Sequence, residues 1–191
     1  MGSTAKVAFL GYDDAQTSLT EEIRRRGFDV ESRGDPVTDL GPYDRVVSFG
    51  YRHILKPAAL RTLKAPIVNL HISYLPYNRG AHPNFWSWME GTPSGVSIHE
   101  IDAGIDTGPI VDQKKVLMEP EGLTFRDTYR LLFKEMEALF VASADEILGG
   151  TYQTTQQSEN GTFHRASDLP PWMTSWDMRI TDAIARFRDG E

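Results

Sequence analysis

Apolar and polar positions along this chain alternate with a period of two in some stretches and about 3.6 in others, which predicts strands interleaved with helices. Residues 6–11 (KVAFLG) are a short apolar run closed by glycine and predict a buried first strand. Residues 15–26 carry Leu19 and Ile23 at i, i+4, with Gly27 as a stop, and predict a helix. A weaker strand follows at 29–32, and the turn-rich GDPVTDLGPYD of 34–44 reads as loop. Next come a strand at 45–49 (RVVSF), a short helix at 55–63 and a strong strand at 66–72 (PIVNLHI). Pro83 opens a helix, PNFWSWMEG, at a favoured first-turn position. GVSIHEI (95–101) alternates as a strand, and 109–117 forms another. The AGIDTG between them is too short for a crossover helix, so the two pair antiparallel.

The longest helix is predicted over 124–148, with Phe125, Tyr129, Leu132, Met136, Leu139 and Ile147 as one apolar stripe. Thr124 with Asp127 resembles a capping box, and Gly149-Gly150 ends the helix. Beyond it the chain turns polar, then rich in Pro and Trp. A strand or hairpin is expected within 151–165, then a terminal helix. Together these elements predict an α/β fold: a Rossmann-like, mostly parallel sheet with helices on both faces. Residues 1–150 form the catalytic unit and 151–191 a short C-terminal extension.

Composition narrows the function classes. The chain has 191 residues, 40% hydrophobic and 25% charged, ordinary values for a globular protein. No apolar run approaches the ~20 residues that cross a bilayer, and no secretion signal opens the chain, so a cytoplasmic location is expected. There is no cysteine, which removes disulfides, thiolate nucleophiles and zinc-thiolate sites. A net charge of −7 without a basic run argues against a nucleic-acid partner, because such affinity rests on Lys and Arg neutralising phosphates.

Three residues carry candidate chemistry. Asn69 and His71 lie two apart on an otherwise apolar strand, so their side chains share a face. A polar pair there is costly unless it finds partners. Asp106 sits in the glycine-rich turn DAGIDTG, and ligands of open α/β sheets collect at strand carboxyl ends. An amide donor, a switchable proton carrier and a carboxylate suit attack on a carbonyl carbon. With no Ser or Cys nucleophile motif, direct transfer is favoured over an acyl-enzyme. Read alone, the trio fits equally well a packed, hydrogen-bonded set without turnover. His82, His99 and His164 lack the spacing of a metal site, so no metal is expected, and His99 reads as a strand side chain. Asn160-Gly161-Thr162 reads as a turn rather than a glycosylation site.

The stretch from Pro66 to Val111, PIVNLHISYLPYNRGAHPNFWSWMEGTPSGVSIHEIDAGIDTGPIV, resembles the core of the 10-formyltetrahydrofolate-dependent formyltransferases. The family pattern is Asn-x-His on a strand, an LLP-(x)-RG segment, and then Asp in an Asp-x-Gly loop. Asn69, His71, LPYNRG and Asp106 match it in order and spacing. The resemblance covers residues 6–148. It implies the formyltransferase fold, with 10-formyltetrahydrofolate as co-substrate. Asn69 would bind the formyl oxygen and His71 would stabilise the oxyanion of a tetrahedral intermediate. Asp106 would hold His71 and a water and help carry the proton. Two loops would wall the pterin, one contributing Arg52, Ile54 and Leu55, the other Ile101, Ala103, Gly104 and Ile105.

Family members differ in the amine they formylate. Glycinamide ribonucleotide formyltransferases resemble a GSGSN phosphate loop after the first strand; here the position reads Gly11-Tyr12-Asp13-Asp14, poor company for phosphate. Methionyl-tRNA formyltransferases carry a basic loop and a C-terminal β-barrel that these residues do not display. HISYLPYNRGAHPNFW and GTFHRASDL are most similar to the sugar N-formyltransferases, which act on nucleotide-linked amino sugars, often in lipopolysaccharide or surface-glycan synthesis. That resemblance makes Tyr12, Asp13, Tyr74, Tyr77, Asn78, Arg79, His82 and Asn84 the candidate contacts to sugar and pyrophosphate. A homodimer is compatible with it. The alternatives are another small-amine formyltransferase, a hydrolase releasing formate, and a folate- or sugar-nucleotide-binding protein without turnover.

Overall fold

A computed structural model describes residues 4–190. Its centre is a six-stranded sheet in the order β2-β1-β3-β4-β6-β7. The strands are β1 (Lys6–Gly11), β2 (Asp29–Arg33), β3 (Arg45–Phe49), β4 (Ile67–His71), β6 (Gly95–Glu100) and β7 (Ile110–Lys115). The first four in that spatial order run parallel; β6 is antiparallel to β4, and β7 to β6, as the short AGIDTG connection requires.

Strand alternation sorts the core into two clusters. Val7, Phe9, Val47, Phe49, Val68 and Leu70 face one side, where Leu19 and Ile23 of α1 (Leu19–Arg25) join them. Leu132, Met136, Phe140, Ala144 and Ile147 of α4 (Phe125–Gly149) complete that cluster. Ala8, Leu10, Val46 and Ile67 face the other side, against Val37, Leu40, Tyr43 and Ala59. This second face is covered mainly by the 34–44 loop and by α2 (Pro57–Leu60), a single turn where a nine-residue helix was expected. Pro57 starts that helix, but its end tightens to i→i−3 bonds at Thr62 and Leu63, and Thr62 Oγ1 donates to the Ala59 carbonyl while accepting from Leu40 N–H. Similarly α1 begins only at Leu19, because Asp13 folds residues 13–17 into a turn through its carbonyl and carboxylate.

Phe140 is fully buried at the centre of the α4 seam. Phe140→Ala is expected to destabilise the fold by about 3–5 kcal/mol, read as a lower midpoint in urea unfolding. The predicted capping box is present: Thr124 Oγ1 accepts from the Asp127 N–H while Asp127 Oδ2 accepts from the Thr124 N–H. Tyr129, expected within the buried stripe, is instead 37% exposed, and its hydroxyl reaches across to Tyr12.

Beyond Gly150 the expectation of a strand or hairpin is met by a strand, without a hairpin. Thr155 bridges Ile110 at the sheet edge, and β8 (Phe163–His164) pairs in parallel with β5 (Arg79–Gly80), far away in the chain. The extension is thus threaded over the LPYNRG segment rather than folded on itself. Its later residues cap α4: the Phe125 and Arg126 N–H groups donate to the Met178 and Trp176 carbonyls. The terminal helix α5 (Ile180–Arg188) then packs on α3 (Pro83–Met89), with Phe85, Phe125, Met173, Ile180 and Ala183 as a third buried cluster.

Candidate active site

The carboxyl ends of β1, β3 and β4 open into a cleft of about 280 Å³ lined by Tyr12, Gly50, Tyr51, Asn69, His71, Gly80, Asp106 and Tyr129. Period-two alternation sends Leu70 into the core and leaves Asn69 and His71 on the opposite face. Asp106 reaches them from the loop between β6 and β7. Its Oδ2 lies 3.7 Å from His71 Nε2, and its Oδ1 lies 3.5 Å from His99 Nε2. Gly80 N–H donates to Asp106 Oδ2 at 2.9 Å. Gly80 must be glycine: its φ is +86°, and a Cβ there would run into the His164 carbonyl.

Among the described residues, the non-glycine residues with positive φ are Asn78, His82 and Asp106, all around this site. Asn, His and Asp tolerate that region better than most residue types, yet it still holds local strain. Asn78 is 1% exposed; its carbonyl lies 3.3 Å from His71 Nε2, and its side chain bonds Thr92 and Thr162. With the Asn78 and Asp106 oxygens both facing Nε2, that nitrogen keeps a proton when His71 is neutral. Burial lowers the His71 pKa below 6.5; the nearby Asp106 opposes this but does not prevail. Burial works against ionisation of Asp106 as well, but the charge that His71 takes up in acid, the contact with His99 and the Gly80 N–H outweigh it, holding the carboxyl far below 3.8. The site at neutral pH therefore joins a neutral imidazole to an ionised carboxylate.

His99, expected as a strand side chain, belongs to the site. It is 1% exposed and sits directly opposite Asn69 in the antiparallel register of β4 and β6. Asn69 Nδ2 lies 3.1 Å from its Nε2, and its Nδ1 lies 2.8 Å from the Glu100 carbonyl. The signal was in the sequence: alternation in GVSIHEI places His99 in phase with Ser97, away from the apolar Val96 and Ile98.

Of the residues expected to wall the pterin, Arg52 lines an adjoining cavity, and Ile54, Leu55, Ile101, Ala103, Gly104 and Ile105 line neither that cavity nor the cleft, because their loops reach the cleft only through Tyr51 and Asp106. Tyr51, Leu55 and Ile101 all pack on the second core cluster, which anchors the roots of both loops side by side. Ile54 is 92% and Ile105 58% exposed, so both present bare apolar surface to solvent. Ala103 and Gly104 lie in the turn held by Asp102, whose Oδ1 accepts from Gly104 N–H and Thr107 Oγ1.

A second cavity of about 430 Å³ adjoins the first, sharing Ile72, Pro83 and Tyr129 with it. Arg52, His82, Arg126 and Trp176 line it, the His82 and Trp176 rings lying 5.3 Å apart. Of the candidate acceptor contacts, Tyr12 lies in the first cavity and His82 and Asn84 in the second. The Asn84 amide is already committed to Phe125 and Thr128. Asp13, Tyr74, Tyr77, Asn78 and Arg79 line neither cavity; Arg79 is held by Gln157 of the extension, and Asn78 supports His71 from behind. Arg126 and Trp176 were not among the sequence candidates, since nothing local marks residues that meet only when the tail folds back onto α4.

The sequence profile of formyl transferases matches residues 19–142. The chain belongs to the formyl transferase family. A relative, the dTDP-4-amino-4,6-dideoxyglucose formyltransferase of Mycobacterium tuberculosis, is 32% identical over 127 residues, covering 66% of this chain and 53% of that protein. The methionyl-tRNA formyltransferase of Nitrobacter winogradskyi is 34% identical over 166 residues, covering 82% and 52% respectively. This formyl transferase chain thus spans about half the length of the curated relatives it matches. Among solved structures, the formyltransferase PseJ of Anoxybacillus kamchatkensis was crystallised with UDP-4,6-dideoxy-4-formamido-L-AltNAc and tetrahydrofolate. It superposes with a TM-score of 0.87 at 33% identity, over 96% of this chain and 100% of that one. Among the described residues no helix is long and apolar enough to cross a membrane, and no group of His, Cys, Asp and Glu could hold a metal ion.

Proposed function

We propose that this formyl transferase moves the formyl group of 10-formyltetrahydrofolate onto the amine of a nucleotide-linked amino sugar, acting in the cytoplasm. The observation that carries the reading is the meeting of Asn69, neutral His71 and ionised Asp106 in a cleft that opens into a second, larger cavity. The donor is assigned to the first cleft: Tyr51 and Asp106 bring two loops to its rim, the exposed Ile54 and Ile105 on those loops offer apolar surface nearby to a flat heterocycle, and Asn69 offers an amide proton to a carbonyl oxygen. When bound, the donor supplies an electrophilic formyl carbon.

The residues then divide the work. Asn69 Nδ2 donates to the formyl oxygen as negative charge develops there. His71, with Nε2 already protonated, accepts the proton of the attacking amine at Nδ1. Asp106, 3.7 Å from Nε2, stabilises the imidazolium so formed until it gives that proton to the departing folate nitrogen, as the bond between that nitrogen and the formyl carbon breaks and the new bond to the amine is kept. Direct transfer fits, since the cleft lining includes no Ser or Cys nucleophile.

The second cavity suits the acceptor. Trp176 and His82 offer ring faces for a nucleobase, and Arg52 brings positive charge for a diphosphate, whereas the Arg126 guanidinium is already paired with Asp177. The net charge of −7 favours such a small acceptor over tRNA. Trp176→Ala is expected to raise the KM for the sugar nucleotide about tenfold while leaving the folate KM unchanged, in steady-state kinetics with each substrate varied.

The deciding experiment incubates the chain with 10-formyltetrahydrofolate and a panel of UDP- and dTDP-linked amino sugars. A UDP-linked 4-amino sugar comes first, because PseJ, matched over its whole length, was crystallised with such a formamido product. Amine-dependent tetrahydrofolate release, with a formamido product by mass spectrometry, is the expected result. Amine-independent release would make it a hydrolase, and binding without turnover a sensor; either would overturn the proposal.

A further inference from the structure

His99 is a buried, titratable group to which the motif assigns no role, yet both its ring nitrogens are engaged. Nδ1 faces the Glu100 carbonyl oxygen at 2.8 Å. A carbonyl only accepts, so Nδ1 carries a proton. In the neutral ring Nε2 is then a bare lone pair, and it lies 3.1 Å from Asn69 Nδ2. Only an N–H can satisfy that lone pair, so Asn69 must turn its NH₂ edge, not its oxygen, towards His99. The pairing of Asn69 with His99 across β4 and β6 builds this contact into the sheet.

We propose that His99 is a positioning residue for formyl transfer. Its Nδ1-protonated tautomer binds one proton of Asn69 Nδ2 and thereby aims the second at the carbonyl oxygen in the cleft. This rests on reading Asn69 as the formyl-oxygen donor. The terminal torsion of an asparagine is broad and two-fold, so an unrestrained amide exchanges its oxygen for its nitrogen readily. A flipped Asn69 turns lone pairs on a carbonyl oxygen and repels it where the reaction needs a donor.

The charge on His99 matters for the same reason. A second proton, on Nε2, removes the acceptor that holds Asn69 and creates a donor 3.5 Å from Asp106 Oδ1. The titratable groups facing His99 are His71 of β4, with ring centroids 6.1 Å apart, and Asp106; the Glu100 carboxylate is instead bound by the Tyr152 hydroxyl. His99 thus selects between holding Asn69 and drawing on Asp106, and the neutral ring is the productive state.

Two measurements test this on the full chain. Imidazole ¹⁵N spectra of the wild type at neutral pH should show His99 protonated at Nδ1 and bare at Nε2, with the Nε2 resonance moving in Asn69→Ala. A neutral His99 protonated at Nε2 overturns the proposal. In kinetics, His99→Met fills the space without a lone pair and should lower kcat about 10- to 100-fold, with both KM values within about threefold of wild type. His99→Gln, whose Oε1 can accept the same N–H, should recover about tenfold of that loss. Wild-type kcat in His99→Met, or no recovery in His99→Gln, overturns the proposal. Should His99→Met fail to fold, the wild-type spectrum decides alone. Failure of the wild type to transfer formyl would instead sink the proposed function and leave the tautomer result standing.

Discussion

Asp106→Asn is expected to lower kcat about 1,000-fold while the chain folds normally, measured as amine-dependent tetrahydrofolate release. The substitution keeps the shape and the Gly80 contact but removes the charge that stabilises a His71 imidazolium. It also alters the pH profile in a direction that packing damage cannot imitate. His71 must be neutral to accept a proton. Burial lowers its pKa below 6.5, and Asp106 is the largest influence acting the other way. Without that carboxylate the imidazolium is still less stable, so the acid limb of activity should move to lower pH in Asp106→Asn. A limb that stays put, or a rate within tenfold of wild type, would remove Asp106 from the chemistry. Stability offers an independent check. The folded-state pKa of Asp106 lies below its ordinary 3.8, so its contribution is present above that pH. Below it the unfolded chain binds a proton that the folded chain does not, and stability falls as acid is added. Urea midpoints of the wild type should therefore drop as the pH falls below about 4.

Much of this site was legible in the sequence because its parts are local. Period-two alternation alone places Asn69 and His71 together, and the short AGIDTG turn forces the antiparallel pairing of β6 and β7 that brings Asp106 beside them. The sheet, the long helix and its capping box follow from patterns within a few residues. What escaped depends on contacts between distant segments. His99 gains its meaning only from a register opposite Asn69, 30 positions away. Arg79 looks like a phosphate ligand in LPYNRG, but Gln157 of the tail holds its guanidinium. Asn78, equally prominent in that motif, spends its side chain on Thr92 and Thr162 and offers only its carbonyl towards His71. Of the strand or hairpin expected at 151–165 the strand forms, but its partner escaped for the same reason: it pairs with Arg79–Gly80, and no local pattern encodes a partner so far off.

That threading also bears on the proposed transfer, because the Gly80 backbone that meets the tail on one side holds Asp106 on the other. The carboxylate, the imidazole and the amide are therefore fixed by three separate supports: the β5–β8 pair, the Asn78 turn and His99. Asn69→Asp tests the last of them most severely. Aspartate matches asparagine in size but has no N–H, so it cannot donate to the formyl oxygen. It also faces the His99 lone pair and the Asp106 carboxylate with like charge, unless it draws a proton onto His99 Nε2. Either way the oxyanion loses its donor. We expect kcat to fall about 100- to 1,000-fold in Asn69→Asp and Asn69→Ala alike, with the folate KM little changed, since the donor acts mainly as charge develops. Single-turnover measurements with preloaded 10-formyltetrahydrofolate separate this from weakened binding. If Asn69→Asp retained a rate within tenfold of wild type, the donor would have to lie elsewhere in the cleft, and His99 would have nothing to position.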